Sequence, residues 1–222
     1  MTSAPALVVL DVNETLSDMS AMPAAFEAEG APGHLAPQWF AQILRDGFAL
    51  AAAGSSATFA DLAQQSLRAV LAGAGPSDDG AVDRIMAAFT SLGTHPDVAP
   101  GLRALRALGV RVVTLSNGAT SVADDLLMRA GVRDLVEKLL TVEDAERWKP
   151  APESYAYALA RCDVRPDDAM LVAAHPWDVD GAARAGLRTA WIDRQGATYP
   201  GTFTAPEVTA RSLTDLAEQL SG

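Results

Sequence analysis

Cysteine is nearly missing from this chain. Cys162 stands alone among 222 residues, so no disulfide can close within it, a count compatible with a reducing cytosol. Basic residues are also few, 17 Lys and Arg against 28 Asp and Glu, for a formal net charge of -11 with no basic run anywhere. A surface this acidic repels nucleic acid and anionic membranes, which excludes both as partners. Long apolar runs are lacking too: Leu7-Val8-Val9-Leu10 stops at Asp11, too short to cross a bilayer, and Met1 to Ala6 carry no basic stretch of a signal peptide. The expected location is the cytoplasm. Aromatics make up 6% of the residues, and with so many alanines the helices are expected to pack closely around small side chains.

What is present, 49% hydrophobic residues over this length, suffices for a substantial core with a smaller inserted unit. Four short runs, Ala6 to Leu10, Val110 to Leu115, Ala169 to Ala173 and Thr189 to Ile192, are rich in Val, Ile or Leu and close at a polar residue, as buried strands do. Ser121 to Ala130, Glu153 to Cys162 and Asp180 to Ala185 have helical periodicity and alternate with them, which predicts a parallel sheet covered by helices on both faces. From Met22 to about Leu92 the strand signal disappears. Apolar residues recur three and four apart in Pro37 to Arg45 and Phe59 to Leu71, so this stretch reads as a helical insertion. Within it, residues 73–80 form a turn-rich connection, and Pro96 and Pro100-Gly101 mark re-entry to the core.

In an open parallel sheet, ligands bind outside the carboxyl ends of the strands. The residues that follow the apolar runs are therefore the candidates: Asp11 and Asn13, Ser116 and Asn117, His175 to Asp178, and Asp193 and Arg194, with Lys149 in a loop before a helix. Asp11 can serve as a nucleophile through a covalent intermediate, or merely cap a turn. Ser116-Asn117-Gly118 can supply donors to an anion, or cap a helix. Lys149 can hold Asp11 ionised, or be a solvated loop lysine.

Taken in order, these segments resemble the haloacid dehalogenase superfamily across nearly the whole chain. Asp11 and Thr15 match its first motif, Ser116 its second, Lys149-Pro150 its third, and Ala174 to Ala182 its fourth region. The resemblance implies an α/β fold: a Rossmann-like parallel-sheet core, residues 1–16 and 94–222, with an inserted helical cap over 17–93. Family phosphatases carry a second Asp two positions after the nucleophile and an acidic Mg²⁺ ligand at the last motif strand. Here those places hold Asn13 and Val172-Ala173-Ala174, which lack the proton donor and the hard oxygen ligand such chemistry needs.

The remaining pattern is similar to the type II 2-haloacid dehalogenase branch: Ser116-Asn117-Gly118, Trp148 before Lys149, Tyr155 in the next helix, Trp177-Asp178, and Trp191-Ile192-Asp193-Arg194. That branch implies hydrolysis of short 2-haloalkanoic acids with no metal or other cofactor. In the implied mechanism Asp11 displaces halide and Thr15 orients it. Lys149 keeps it charged, and Asp178 activates the water that splits the resulting ester. Ser116 and the amides near Asn117 take the substrate carboxylate, with Val12, Asn13, Trp39, Phe40, Tyr155 and Trp177 around the substrate; Phe48 is assigned to the core.

Three places depart from the branch. The arginine expected to receive halide is matched by Phe40, leaving Arg45 as its replacement or as a solvated residue. A serine and an asparagine of the fourth motif are Ala173 and His175, so His175 is a second candidate to hold the water, or a loop histidine packed beside Trp177. Asn13-Glu14 stands for the usual Tyr-Gly. The competing readings are a phosphatase or phosphonatase with atypical motifs and a catalytically silent binding protein. A homodimer, common among relatives, is compatible with the sequence but not required by any residue in it.

Overall fold

The computed structural model describes residues 3–74 and 79–222. Strand β1 (Leu7–Leu10) opens the chain, and helices α1 (Met22–Ala28), α2 (Leu35–Ala52), α3 (Phe59–Ala74) and α4 (Asp79–Thr90) follow with no strand among the described residues between them. The chain then alternates: α5 (Val98–Ala107), β2 (Arg111–Ser116), α6 (Thr120–Arg129), β3 (Lys138–Thr141), α7 (Pro152–Cys162), β4 (Ala169–Ala173), α8 (Pro176–Arg184), β5 (Arg188–Ile192), β6 (Val208–Ala210) and α9 (Leu213–Leu220). All six strands pair in parallel in the order β3-β2-β1-β4-β5-β6. This is the Rossmann-like α/β core expected from the sequence. The turn-rich stretch predicted over 73–80 falls partly on residues 75–78, which lie outside the described residues.

The central strands read as unbroken apolar runs because both of their faces are covered. Val8 and Leu10 point with Val112, Met170 and Val172 toward α5, α6 and α9, while Leu7 and Val9 point with Val113, Leu115 and Leu171 toward α7, α8 and the inserted helices. All four β1 residues are fully buried, worth roughly 1.5–3 kcal/mol per large apolar side chain. The sheet's edge strands, β3 and β6, were not anticipated. They run four and three residues, and β6 alternates buried and exposed residues, so neither makes an apolar run long enough to stand out. Pro100 and Gly101 also differ from expectation: they lie in α5 near its start, where a missing N–H costs nothing, and Gly101 packs against Leu213 of α9.

The insertion leaves and rejoins the core at one neck. Ser17 and Thr94 form an antiparallel bridge, the Asp18 amide donates to the Gly93 carbonyl at 2.9 Å, and the His95 amide donates to the Leu16 carbonyl at 2.9 Å. The strand order reverses at β1, between β2 and β4, so the loops after these three strands converge beneath the inserted helices.

Candidate active site

Asp11 follows β1, its amide still bonded to the Val172 carbonyl of β4 at 3.0 Å, and the residue is 4% exposed. Three groups hold the carboxylate. Lys149 Nζ donates to Oδ1 at 2.8 Å, Thr15 Oγ1 donates to Oδ2 at 2.6 Å, and His175 Nδ1 lies 3.2 Å from Oδ2. Thr15 is fixed in turn by accepting the Ala174 amide at 2.9 Å, which ties the loop after β1 to the loop after β4.

Lys149 comes from the loop between β3 and α7 and is fully buried. Asn117 clamps its backbone: the Lys149 amide donates to Oδ1 at 2.9 Å, and Nδ2 approaches the Lys149 carbonyl at 3.4 Å. The ammonium also donates to Asp178 Oδ2 at 2.6 Å, and Tyr155 donates its hydroxyl to Asp178 Oδ1 at 2.6 Å. Asp178 sits in the first turn of α8 and is fully buried as well. The close approach of α8 requires Gly181, since a Cβ there would meet Pro150 and the Tyr155 hydroxyl at 2.6 Å.

The charge states follow from this packing. Burial pushes Asp11 up, but Lys149 and His175 outweigh it and hold the carboxyl well below the usual carboxylate range. Burial pushes Lys149 down, and the Asp11 and Asp178 carboxylates more than restore it. Asp178 moves up, through burial and the nearby Asp11 charge, against the pull of Lys149. Burial would lower His175, yet its bonds to Asp11 and Glu14 raise it to about 9. At neutral pH the resting cluster therefore holds an ionised Asp11 between two cations.

Two spaces flank this cluster. A cavity of about 60 Å³ is walled by Val12, Asn13, Phe59, Phe89, Ser116 and Gly118. A cleft of about 610 Å³ opens on the other side, bordered by Glu14, His95, Ala174, His175, Trp191 and Arg194. Among the described residues no group of three or more His, Cys, Asp or Glu side chains is arranged to hold a metal ion. The acids nearest Asp11 are already engaged, Asp178 by Lys149 and Glu14 by His175.

A family model for haloacid dehalogenase-like hydrolases matches residues 5–186. The chain belongs to this family. Haloacetate dehalogenase H-2 of Moraxella sp. (strain B) is 33% identical over 132 residues, which span 60% of this chain but only 59% of that protein. (S)-2-Haloacid dehalogenase 1 of Pseudomonas sp. (strain CBS-3) is 27% identical over 215 residues, 96% of this chain and 95% of the other. A dehalogenase crystallised with an intermediate complex has a TM-score of 0.93 at 26% identity, over 100% of both chains.

In this haloacid dehalogenase-like hydrolase, Asp11, Thr15, Lys149, Asp178, His175, Asn117 and Tyr155 all meet in one bonded cluster. Val12, Asn13 and Ser116 line the small cavity beside it, with Ser116 Oγ accepting the Gly118 amide at 2.9 Å just before α6. Trp177 stacks on His175 at 5.1 Å between ring centres, and Phe40 does so at 6.3 Å. Trp39 does not reach the cluster. It is fully buried within the insertion, against Phe26 and Phe89, and donates its indole N–H to the Ala63 carbonyl at 2.8 Å. One residue is about 100° on a helix, which turns Trp39 inward where Phe40 faces the site. Arg45 also lies apart: its side chain is 67% exposed and pairs with Asp46, leaving the Phe40 position without a guanidinium. Phe48, assigned to the core, packs against it and also meets Trp177 edge-on at 5.0 Å.

One contributor escaped the sequence reading: Glu14, whose Oε2 lies 2.7 Å from His175 Nε2. Arg194, a strand-end candidate in the sequence, donates to the Thr15 carbonyl at 2.6 Å while paired with Asp97 at 2.9 Å. The signal for Glu14 was its appearance in the same chain as the unusual His175, two departures from the branch that contact each other.

Proposed function

We propose that this chain is a hydrolytic dehalogenase of short 2-haloalkanoic acids, haloacetates and 2-halopropionates, acting through an aspartyl ester on Asp11 and releasing 2-hydroxy acids. The observation that carries this reading is a buried carboxylate held ionised by Lys149, with an amide, Asn13, where a phosphatase needs a proton donor. An ionised oxygen of Asp11 bonds to the halogen-bearing carbon as the carbon-halogen bond breaks and halide leaves with its electron pair. Thr15 and Lys149 fix the carboxylate for that approach, and Lys149 stabilises charge that develops on it when the ester is split.

Ser116 and the amides that begin α6 offer a carboxylate site beside the small cavity, whose size suits a two- or three-carbon acid. Phe40, Phe59 and Trp177 give the region apolar walls. Because Asp11 is so nearly closed off, the inserted helices shift to admit substrate and shut again to keep bulk water from the displacement. The substrates named for the haloacetate and (S)-2-haloacid dehalogenases above support the same class.

The test is halide release from chloroacetate and (S)-2-chloropropionate without added metal. Asp11→Asn is expected to lower turnover by roughly 10⁴-fold or more, the scale of losing a nucleophile. Undiminished turnover in that variant refutes the nucleophile, and no halide from a broad haloacid panel refutes the substrate class.

A further inference from the structure

We propose that His175 and Glu14 form the base that splits the Asp11 ester, working from the open cleft while Lys149 and Asp178 grip the nucleophile from the interior. The inference rests on the reading of Asp11 as an alkylated nucleophile, and it assigns the second half of that reaction.

Asp178 is poorly placed to activate a water. Both of its oxygens are engaged, one by Lys149 and one by Tyr155, each at 2.6 Å, and the residue is fully buried and borders neither the small cavity nor the cleft. His175 borders the cleft, its side chain is 12% exposed, and its Nδ1 already lies 3.2 Å from the carboxyl that becomes the ester. The opposite ring nitrogen is bonded to Glu14 Oε2 at 2.7 Å. A histidine with one nitrogen toward the reacting group and the other on a carboxylate is the arrangement of an oriented general base.

The surroundings hold that geometry. Phe40 and Trp177 stack on the ring at 21° and 28°, which fixes its plane so that its two nitrogens span Asp11 and Glu14. Glu14 takes a left-handed backbone, φ 59°, unusual for a residue with a Cβ and a mark of a conformation maintained by its neighbours. Those neighbours are Ser17, whose Oγ accepts the Glu14 amide at 3.2 Å, and His95, whose Nε2 bonds the Glu14 carbonyl at 3.1 Å. Glu14 is thus a positioning residue for His175.

Alkylation itself switches the base on. In the resting enzyme two anions, Asp11 and Glu14, keep the ring protonated against burial. Esterification removes the Asp11 charge and leaves Lys149 one counterion fewer, so the Nδ1 proton is lost to water in the cleft. The other ionisable groups bordering that cleft are His95, Asp18, Asp193 and Arg194, and none takes the place of Asp11 beside Nδ1. A water then gives one proton to Nδ1 as its oxygen bonds to Asp11 Cγ. The bond from Cγ to the alkyl oxygen breaks, and the departing alkoxide takes the proton from Nδ1 to become the 2-hydroxy acid. Asp11 keeps one oxygen from water, and its remaining proton passes to Nδ1, restoring the resting ion pair.

The experiment is rapid mixing of the full chain with (S)-2-chloropropionate, reading halide and intact mass. Wild type is expected to turn over with little adduct. His175→Ala is expected to release one equivalent of halide per chain and then slow at least 100-fold, with the ester accumulating on Asp11. His175→Gln keeps a polar side chain but cannot take up a proton, so it gives the same adduct even if the alanine variant folds poorly. In Glu14→Gln the acidic limb of the pH profile for ester hydrolysis moves to lower pH, which loss of packing alone does not produce.

Halide burst and turnover falling together in both His175 variants, without adduct, would overturn the proposal. So would trapping of the ester by Asp178→Asn alone, which would make Asp178 the base. Wild type that releases no halide from any haloacid removes the dehalogenase reading itself, a result distinct from either.

Discussion

The two sides of Asp11 are built differently. On the interior side, Lys149, Asp178 and Tyr155 form a chain of short bonds with no exposed member, a dry ion network whose charges depend entirely on one another. On the cleft side, His175 contacts the same carboxylate and passes on to Glu14, whose side chain is 42% exposed. A buried network resists change of charge because any lost partner strands an ion, whereas a pair at the water boundary can exchange protons. One side therefore suits holding the nucleophile and the other suits turning it over.

Removing the central cation should have the largest effect. Lys149→Met leaves Asp178 buried with Tyr155 and no cation, and is expected to cost about 3–5 kcal/mol in urea unfolding, as breaking buried pairs does. Asp11 keeps His175 in that variant, so its carboxyl rises but the fold need not be lost. If the variant is as stable as wild type, the interior network is not the dependent assembly described here. Tyr155→Phe leaves Asp178 Oδ1 without its donor and is expected to cost about 1.5–3 kcal/mol, read in the same unfolding series. A cost near zero would mean that water replaces the hydroxyl and that this side is wetter than its burial indicates.

The smallest effect concerns the cleft side and is a slope. His175 rises from 6.5 to about 9 on folding, so its contribution is fully present below about pH 6.5 and is lost as pH climbs through about 9. Between those values the wild-type Tm should fall about 5–10 °C more than that of His175→Asn. Parallel curves would show that His175 carries no extra proton in the folded state. Asp11 acts in the opposite direction: its carboxyl is held low, so its share of stability is lost only as pH falls below the ordinary carboxylate range.

Much of the interior side was legible in the sequence, because Asp11, Ser116 and Asp178 follow apolar runs at strand ends and Lys149 stands beside an aromatic and a proline. The cleft side was less legible. Glu14 and His175 are 161 residues apart and meet only because β1 pairs with β4 and because Glu14 adopts a left-handed turn. Neither cause leaves a local pattern.

The assignment of Trp39 and Phe40 shows a related limit. Both are large and adjacent on a helix with apolar residues on several faces, so periodicity identified the helix without saying which ring looked outward. Short edge strands were missed for the reason that makes them tolerable: three or four residues with polar members expose little apolar surface.

The neck of the insertion bears on all of this mechanically. The bridge between Ser17 and Thr94 lies two residues from Thr15, the group that orients the nucleophile, and Arg194 grips the Thr15 carbonyl while braced on Asp97. A door hung there has its hinge pin in the trigger. Under the proposed closure, a shift of the four helices passes through Leu16 into the loop that aims Asp11, and Arg194 braces that loop from the core side.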